Sequence, residues 1–191
     1  MALFTVSEIR NKQLPIFKSA SAILMESSNA SFTSQYDIFL SHSFKDAELI
    51  AKLKMTLEGY GYSVYVDWLE DPQMNRDLVT KKTALHLKKR MKQCKCLLYA
   101  VTGNSSSSKW MPWELGEFDG QKPQKVAILP LSQDSGNSNS YQGQEYLGIY
   151  PYITRDGNKV SNKDALWVQD DQDTYVIFDA WLNQGTAPYK R

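Results

Sequence analysis

The sequence is poor in the residues that build metal centres and disulfides. It has 191 residues but only two histidines, His42 and His86, and two cysteines, Cys94 and Cys96. Neither histidine lies in a ligand motif, so a metal site would depend mainly on carboxylates, and we expect none. The cysteines lie in an apolar run, where we expect reduced thiols in the core and no mutual disulfide.

Long apolar runs and an excess of one charge are also missing. No run approaches the roughly 18 to 20 residues of a membrane span, and residues 1–28 lack the pattern of a signal peptide. The formal net charge is +1 with both signs scattered, so nothing favours a nucleic acid or an anionic membrane as partner. We therefore expect a cytoplasmic protein that binds neither nucleic acid nor membrane.

Apolar segments alternate along the chain in a way that predicts an α/β fold. With 42% hydrophobic residues, the chain is long enough to bury one full core. In chain order, the predicted segments are a strand at residues 36–40, a helix at 45–60, a strand at 63–66, a helix at 77–92, a strand at 94–101, a helix from about 112 and a strand at 126–131. Strands that alternate with helices imply a doubly wound, mostly parallel sheet of flavodoxin-like character.

Both ends of the chain are less regular. Thr5 and Glu8 have the spacing of a capping box, which predicts an N-terminal helix. Near the other end, residues 155–158 predict a hairpin turn and Trp167-Val168 a late strand. Residues 174–182 predict a closing helix that buries an aromatic stripe.

Two short motifs indicate chemistry. The first is Tyr36-Asp37-Ile38-Phe39-Leu40-Ser41-His42, an apolar strand that ends in a polar turn before a helix. An α/β sheet builds its ligand crevice at the carboxyl ends of such strands. The second is Trp110-Met111-Pro112-Trp113-Glu114, which places an acid near a helix start beside two aromatic residues.

Together the motifs resemble a TIR (Toll/interleukin-1 receptor) domain. Its first strand commonly reads Tyr/Phe-Asp-x-Phe-Ile/Leu-Ser-His, and a later helix carries Trp-x-x-x-Glu. The resemblance covers roughly residues 34–131, and Met111 stands where a Cys usually follows the Trp. It divides the chain into an N-terminal helical extension and linker, residues 1–34, and a TIR domain with an extended C-terminal region, residues 35–191.

The resemblance implies that Glu114 is catalytic, because this Glu cleaves NAD+ in the enzymatic branch of the family. Nicotinamide is already a cationic leaving group, so no general acid is needed. One carboxylate can stabilise the oxocarbenium-like ribosyl centre. On spacing alone, Glu114 would more often complement the helix dipole, and the resemblance reverses that preference.

Further substrate-binding residues follow from the same resemblance. Ser41, His42 and Ser43 would border the NAD+ pocket, although helix capping is equally open for each. Trp110 belongs to the motif itself. Trp113 would cover the nicotinamide or ribose face, or it packs inward.

Residues 67–76 occupy the place of the family's BB loop, which gates the pocket and contacts neighbouring subunits. Asp67 is a candidate for contacts to substrate hydroxyls and Trp68 for stacking. A solvated acid and a hydrophobic anchor are the equally open alternative.

The resulting hypothesis is an NAD+ nucleosidase and ADP-ribosyl cyclase. NAD+ is its substrate, and no separate cofactor is expected. Similarity to the TIR components of Thoeris anti-phage systems implies self-association through TIR–TIR contacts. It also implies a nucleotide messenger, which we expect to be a cyclic ADP-ribose, that activates a downstream effector. The alternative is a non-enzymatic TIR adaptor or virulence mimic that acts only through TIR–TIR interactions.

Overall fold

One central sheet organises the described residues, which are 1–13, 34–71, 80–133, 140–143, 145–158 and 163–190 of the computed structural model. Its nine strands are β1 (Phe4–Thr5), β2 (Tyr36–Ser41), β3 (Val64–Tyr65), β4 (Cys94–Val101), β5 (Val126–Ser132), β6 (Tyr152–Asn158), β7 (Lys163–Gln169), β8 (Thr174–Ile177) and β9 (Tyr189–Lys190). The α-helices are α1 (Val6–Asn11), α2 (Ala47–Gly59), α3 (Asp67–Glu70), α4 (Lys81–Gln93) and α5 (Trp110–Gln121).

The first half of the sheet has the predicted α/β pattern. Strands β3, β2, β4, β5 and β6 lie side by side in that order, and all are parallel. Ser41 at the end of β2 lies opposite Tyr99 on β4. Parallel strands place their carboxyl ends at one edge, so the first motif lies beside the end of β4. The predicted fold class is confirmed.

Helices cover both faces of this parallel sheet. On one face α2, the helix predicted at residues 45–60, buries a stripe of Leu49, Ile50, Leu53 and Leu57. It ends before Gly61, whose φ of 95° suits glycine. On the other face, α4 and α5 pack over the second apolar cluster. Helix α4 begins after Thr80, whose hydroxyl accepts a hydrogen bond from the Thr83 amide at 3.1 Å. Residues 77–79 of the predicted helix lie outside the described residues.

Both cysteines are buried free thiols, as predicted. Burial raises the pKa of Cys94 and of Cys96 well above the ordinary value. No helix within the described ranges is long and apolar enough to span a bilayer.

The C-terminal region differs from the prediction. Strands β6 to β9 extend the sheet in antiparallel fashion, and the predicted late strand at Trp167 and Val168 is part of β7. The hairpin turn predicted at residues 155–158 is wrong, because these residues belong to β6. The connection to β7 falls at residues 159–162, outside the described residues.

The closing helix predicted at residues 174–182 is wrong in its first half. Thr174–Ile177 forms β8 and pairs with β7, and helical turns begin only at Phe178 and continue through Ala180–Gln184. β-branched and aromatic residues favour a strand wherever a neighbouring edge is free to pair. The Tyr175 ring therefore packs edge-on against Trp167, with centroids 5.7 Å apart.

The N-terminal helix forms where the capping box predicts it. Thr5 Oγ1 accepts a hydrogen bond from the Glu8 amide at 3.2 Å. Strand β1 pairs in parallel with β5, and Phe4, Val6 and Ile9 lie in the same core cluster as α2. The described part of this segment thus contributes to the core instead of lying outside it. The domain boundary near residue 34 stays a prediction.

A buried ion pair joins the end of α3 to α4. Arg90 donates from Nε at 2.8 Å and from Nη2 at 2.7 Å to the two carboxylate oxygens of Asp71. Tyr65 donates to the same carboxylate at 2.7 Å, and His86 Nε2 lies 2.8 Å from it. Burial alone would raise the pKa of Asp71, but hydrogen bonds from Arg90, His86 and Tyr65 outweigh it and lower that pKa.

Phe4→Ala tests whether the N-terminus belongs to the core. Phe4 is fully buried, so its truncation should lower the free energy of unfolding by about 3–5 kcal/mol, measured by urea denaturation. Phe44→Ala makes the same chemical change at a ring that is 59% exposed and should cost much less. Equal stability of the two variants would contradict the packing described.

Asp71→Asn tests the ion pair. It leaves the Arg90 guanidinium buried without its counter-charge, so we expect a loss of about 3–5 kcal/mol of unfolding free energy at pH 7. Since the folded pKa of Asp71 is depressed, its contribution is present above the unfolded pKa and is lost as the pH falls through the folded pKa. The control is Glu48→Gln, whose side chain is 88% exposed. A loss no larger than that of the control refutes the assignment.

Candidate active site

Glu114 on α5 meets the carboxyl end of β2. The Ser41 hydroxyl donates a hydrogen bond of 2.6 Å to Glu114 Oε2, across 73 positions of sequence. Both side chains are fully buried. Helix α5 crosses the face that carries the second apolar cluster, so its first turns pass over the strand ends. The two sequence motifs are thereby in direct contact.

His42 is the centre of a second contact group. Its Nδ1 lies 2.8 Å from the Leu40 carbonyl oxygen, which can only accept, so Nδ1 carries the proton. Nε2 then accepts from the Trp68 indole N–H at 3.1 Å, and Asp67 Oδ1 lies 3.8 Å from it. Asp67 is 2% exposed, so the alternative of a solvated acid is wrong.

Ser41 and Trp68 belong to opposite faces of the sheet. Ser41 contacts Glu114 on the α5 side, whereas Trp68 packs against the core cluster that contains α2. The Trp68 ring also meets Phe44 edge-on at 6.5 Å. The structure therefore gathers the predicted residues at one end of β2 but divides them into two groups.

The other predicted residues have simpler surroundings. Ser43 precedes the turn Phe44–Asp46 and is buried, and within the described residues its side chain makes no capping hydrogen bond there. Trp110 is 8% exposed and meets Trp113 edge-on, with centroids 5.5 Å apart. Trp113 is half-buried against the same cluster. Inward packing thus describes Trp110 well and Trp113 in part.

A cleft of about 510 Å³ opens beside this corner. Its described lining residues come from the end of β4, the following loop and the segment before β6: Tyr99, Val101, Thr102, Ser105, Ser106, Pro112, Tyr141, Gln142, Glu145, Tyr146 and Leu147. Burial, a hydrogen bond with Tyr146 and the nearby Glu114 charge raise the pKa of Tyr99. Glu114 itself does not line the cleft. The cleft is next to the helix that carries the carboxylate, since Pro112 of α5 lines it.

A polar network that the sequence analysis did not single out holds the cleft's floor. Asp46 accepts hydrogen bonds from the Thr102 hydroxyl at 2.6 Å and from Asn104 Nδ2 at 2.7 Å. Ser105 donates to the Ala100 carbonyl at 3.1 Å. The loops after β2 and β4 are therefore tied together. In the sequence, the only feature that indicated these loops was their position after two predicted strands.

A second cleft, of about 480 Å³, lies at the opposite end of β5. Val126, Tyr150 and Trp181 are among its lining residues, and none of the predicted site residues lines it. Across the described ranges, no three His, Cys, Asp or Glu side chains are grouped to hold a metal ion. The candidate site is therefore the corner around Ser41 and Glu114.

Comparison with known protein families decides the family. A family model described as TIR domain matches residues 38–164. The chain belongs to the TIR-domain family. This TIR protein is 54% identical over 149 residues to a Bacillus cereus (strain MSX-D12) protein named "Probable 3' cyclic ADP-D-ribose synthase ThsB'", a match covering 78% of this chain and 76% of that protein.

A second relative is larger. The TIR protein is 38% identical over 120 residues to a Cytobacillus dafuensis protein named "Putative cyclic ADP-D-ribose synthase TIR2". That match covers 62% of this chain and 31% of that protein. The chain thus spans about a third of the larger relative.

Ser41→Ala tests the contact between the motifs. The change removes a hydroxyl donor from the buried Glu114 carboxylate, so the free energy of unfolding should fall by about 1–3 kcal/mol. Ser106→Ala, at an exposed serine of the same corner, is the matched control and should change it by less than about 0.5 kcal/mol. Chemical denaturation of both variants measures this free energy. Equal losses in the two variants would contradict the described geometry.

Proposed function

We propose that this TIR protein cleaves the nicotinamide–ribose bond of NAD+ and releases a cyclic ADP-ribose as a signal. The observation that carries the proposal is the contact of Ser41 with Glu114, which fixes the acid of one TIR motif against the end of the other. The names of both relatives, cyclic ADP-D-ribose synthases, support the class of product.

The reaction needs little acid–base chemistry. The C1″–N bond to nicotinamide breaks, and its electron pair leaves with the ring, which becomes neutral. The ribosyl centre gains oxocarbenium character, and the Glu114 carboxylate stabilises that charge. A nucleophile then bonds to C1″ from the substrate's own adenosine part and, where it is a hydroxyl, releases its proton to solvent. No oxidation or reduction occurs.

Exclusion of water decides between cyclic and linear product. Water captures the ribosyl centre unless the site excludes it or holds an internal nucleophile closer. Here Trp110 and Trp113 pack together beside Glu114, and the carboxylate is fully buried. This apolar enclosure favours internal capture and therefore a cyclic ADP-ribose.

The burial of Glu114 also imposes a condition on catalysis. In the isolated chain the carboxylate is fully covered and one oxygen accepts from Ser41, so substrate must displace covering side chains to reach it. We propose that self-association through TIR–TIR contacts supplies this change. The predicted BB loop begins with the helix α3, and its residues 72–76 lie outside the described residues. Head-to-tail contacts of this kind can extend into filaments.

The biological setting follows from the product. A small nucleotide made from a cytoplasmic substrate is suited to carry a message to a separate effector. By similarity to Thoeris systems, we propose a cytoplasmic role in anti-phage immunity.

One observation favours a non-enzymatic adaptor as the second candidate. A buried Glu114 bonded to Ser41 also suits a purely structural acid that fixes α5 on the sheet. An adaptor would keep TIR–TIR contacts and release no nicotinamide from NAD+.

Glu114→Gln tests the proposed catalytic role. The amide keeps the size of the side chain but removes the negative charge, so nicotinamide release should fall at least about a hundredfold. The matched control is Glu117→Gln, the same change one turn further along α5 at an acid paired with Lys88 at 3.0 Å. Chromatography quantifies nicotinamide, and circular dichroism verifies the fold. Near-normal release by a folded Glu114→Gln protein disproves the role.

Self-association predicts a concentration dependence. Nicotinamide release per molecule of protein should rise as the protein is concentrated, since more Glu114 sites become accessible on assembly. Light scattering in the same samples should show growing particles. A constant specific activity from a protein that stays monomeric throughout would refute the requirement for assembly.

A further inference from the structure

The cleft beside Glu114 carries a set of aromatic and polar groups that the chemistry above does not use. Its volume of about 510 Å³ lies within the range of small-molecule sites, about 300–1,000 Å³. The side chains relevant here are Tyr99, Thr102, Ser105, Tyr141, Gln142 and Tyr146. Three tyrosine side chains and several hydrogen-bonding groups thus line one space.

The cleft is directed toward the proposed reaction centre. Tyr99 lies opposite Ser41 in the register of β4 and β2, and Ser41 contacts Glu114. Pro112, two positions before Glu114, also lines the cleft. A ligand in the cleft would therefore have one end close to the carboxylate.

The wall of the cleft is built by close packing. Tyr99 is 3% exposed and is hydrogen-bonded with Tyr146. A Cβ atom on Gly143 would lie 2.5 Å from the Gly148 amide nitrogen, so only glycine permits this approach of the two backbones. That approach brings the segments that carry Tyr141 and Tyr146 together.

The charges of the cleft disfavour the pyrophosphate of a dinucleotide. Among the described residues that line it there is no Lys or Arg, and Glu145 contributes an acid. A pyrophosphate would be repelled there, whereas a neutral base would not. Tyrosine rings stack on bases regardless of sequence, and the Gln142 amide offers the donor and acceptor that match an adenine edge.

We propose that this tyrosine cleft binds the adenosine part of the dinucleotide and holds it beside the ribosyl centre at Glu114. The inference rests on the proposed function and extends it, because it explains how an internal nucleophile outcompetes water. Tyr146 is then a specificity-determining residue that acts on the product as well as on binding.

Binding of AMP, whose adenosine would enter the cleft while its phosphate stays outside, tests the subsite without any turnover. Calorimetry on the full chain should show saturable AMP binding, and Tyr146→Ala should weaken it about tenfold through loss of stacking. Tyr146→Phe keeps the ring and should retain most of the affinity. Tyr189→Ala is the matched control, because Tyr146 and Tyr189 are both 45% exposed. No saturable binding by the wild type, or equal effects of the two alanine variants, overturns the proposal.

Turnover supplies a second readout. Tyr146→Ala should raise the KM for NAD+ about tenfold and shift product from cyclic to linear ADP-ribose, while cleavage of nicotinamide mononucleotide, which lacks adenosine, stays unchanged. Equal losses with both substrates overturn the proposal. If the wild type does not cleave the mononucleotide, the AMP titration alone tests the adenosine subsite.

The two hypotheses fail in different ways. Tyr146-dependent AMP binding by a protein that releases no nicotinamide supports the subsite and refutes the proposed function. Nicotinamide release without AMP binding refutes the subsite alone.

Discussion

The hydrogen bond from Ser41 to Glu114 is the contact on which the account of this protein depends. A carboxylate without exposed surface costs several kcal/mol of desolvation unless it is hydrogen-bonded, so α5 can lie over the sheet only in a register that satisfies Glu114. Ser41 supplies a donor because it is the last residue of β2. Helix α5 also carries the packed pair Trp110 and Trp113 and, through Pro112, part of the wall of the adjoining cleft.

The surrounding polar networks hold the other walls of the site. Asp71 and Arg90 anchor α3 to α4, while Asp46 ties together the loops after β2 and β4. These contacts fix the backbone on either side of the strand ends, so a substrate would meet walls that are already ordered. The covered Glu114 is the exception. Under the proposed function, access to this acid, and not its chemistry, is the step that assembly would control.

The sequence predicts an element correctly where apolar spacing or a capping residue is sufficient to identify it. The helix α2, the strand β4 and the N-terminal helix after Thr5 all appear where the sequence predicts them. The prediction fails at Thr174–Ile177, because the choice between strand and helix depends on pairing with β7, a partner that no local pattern identifies. The cleft tyrosines were missed for the same reason, since Tyr99 and Tyr146 meet only through the tertiary fold. The roles of Glu114 and its neighbours stay predictions.

The central claim is that the wild-type protein turns NAD+ into a cyclic nucleotide, and mass spectrometry of its products tests this most directly. Concentrated protein incubated with NAD+ should release nicotinamide in equal amount to a cyclic ADP-ribose, whose mass is that of linear ADP-ribose less one water. NAD+ recovered intact after incubation with folded, assembled protein would contradict the account.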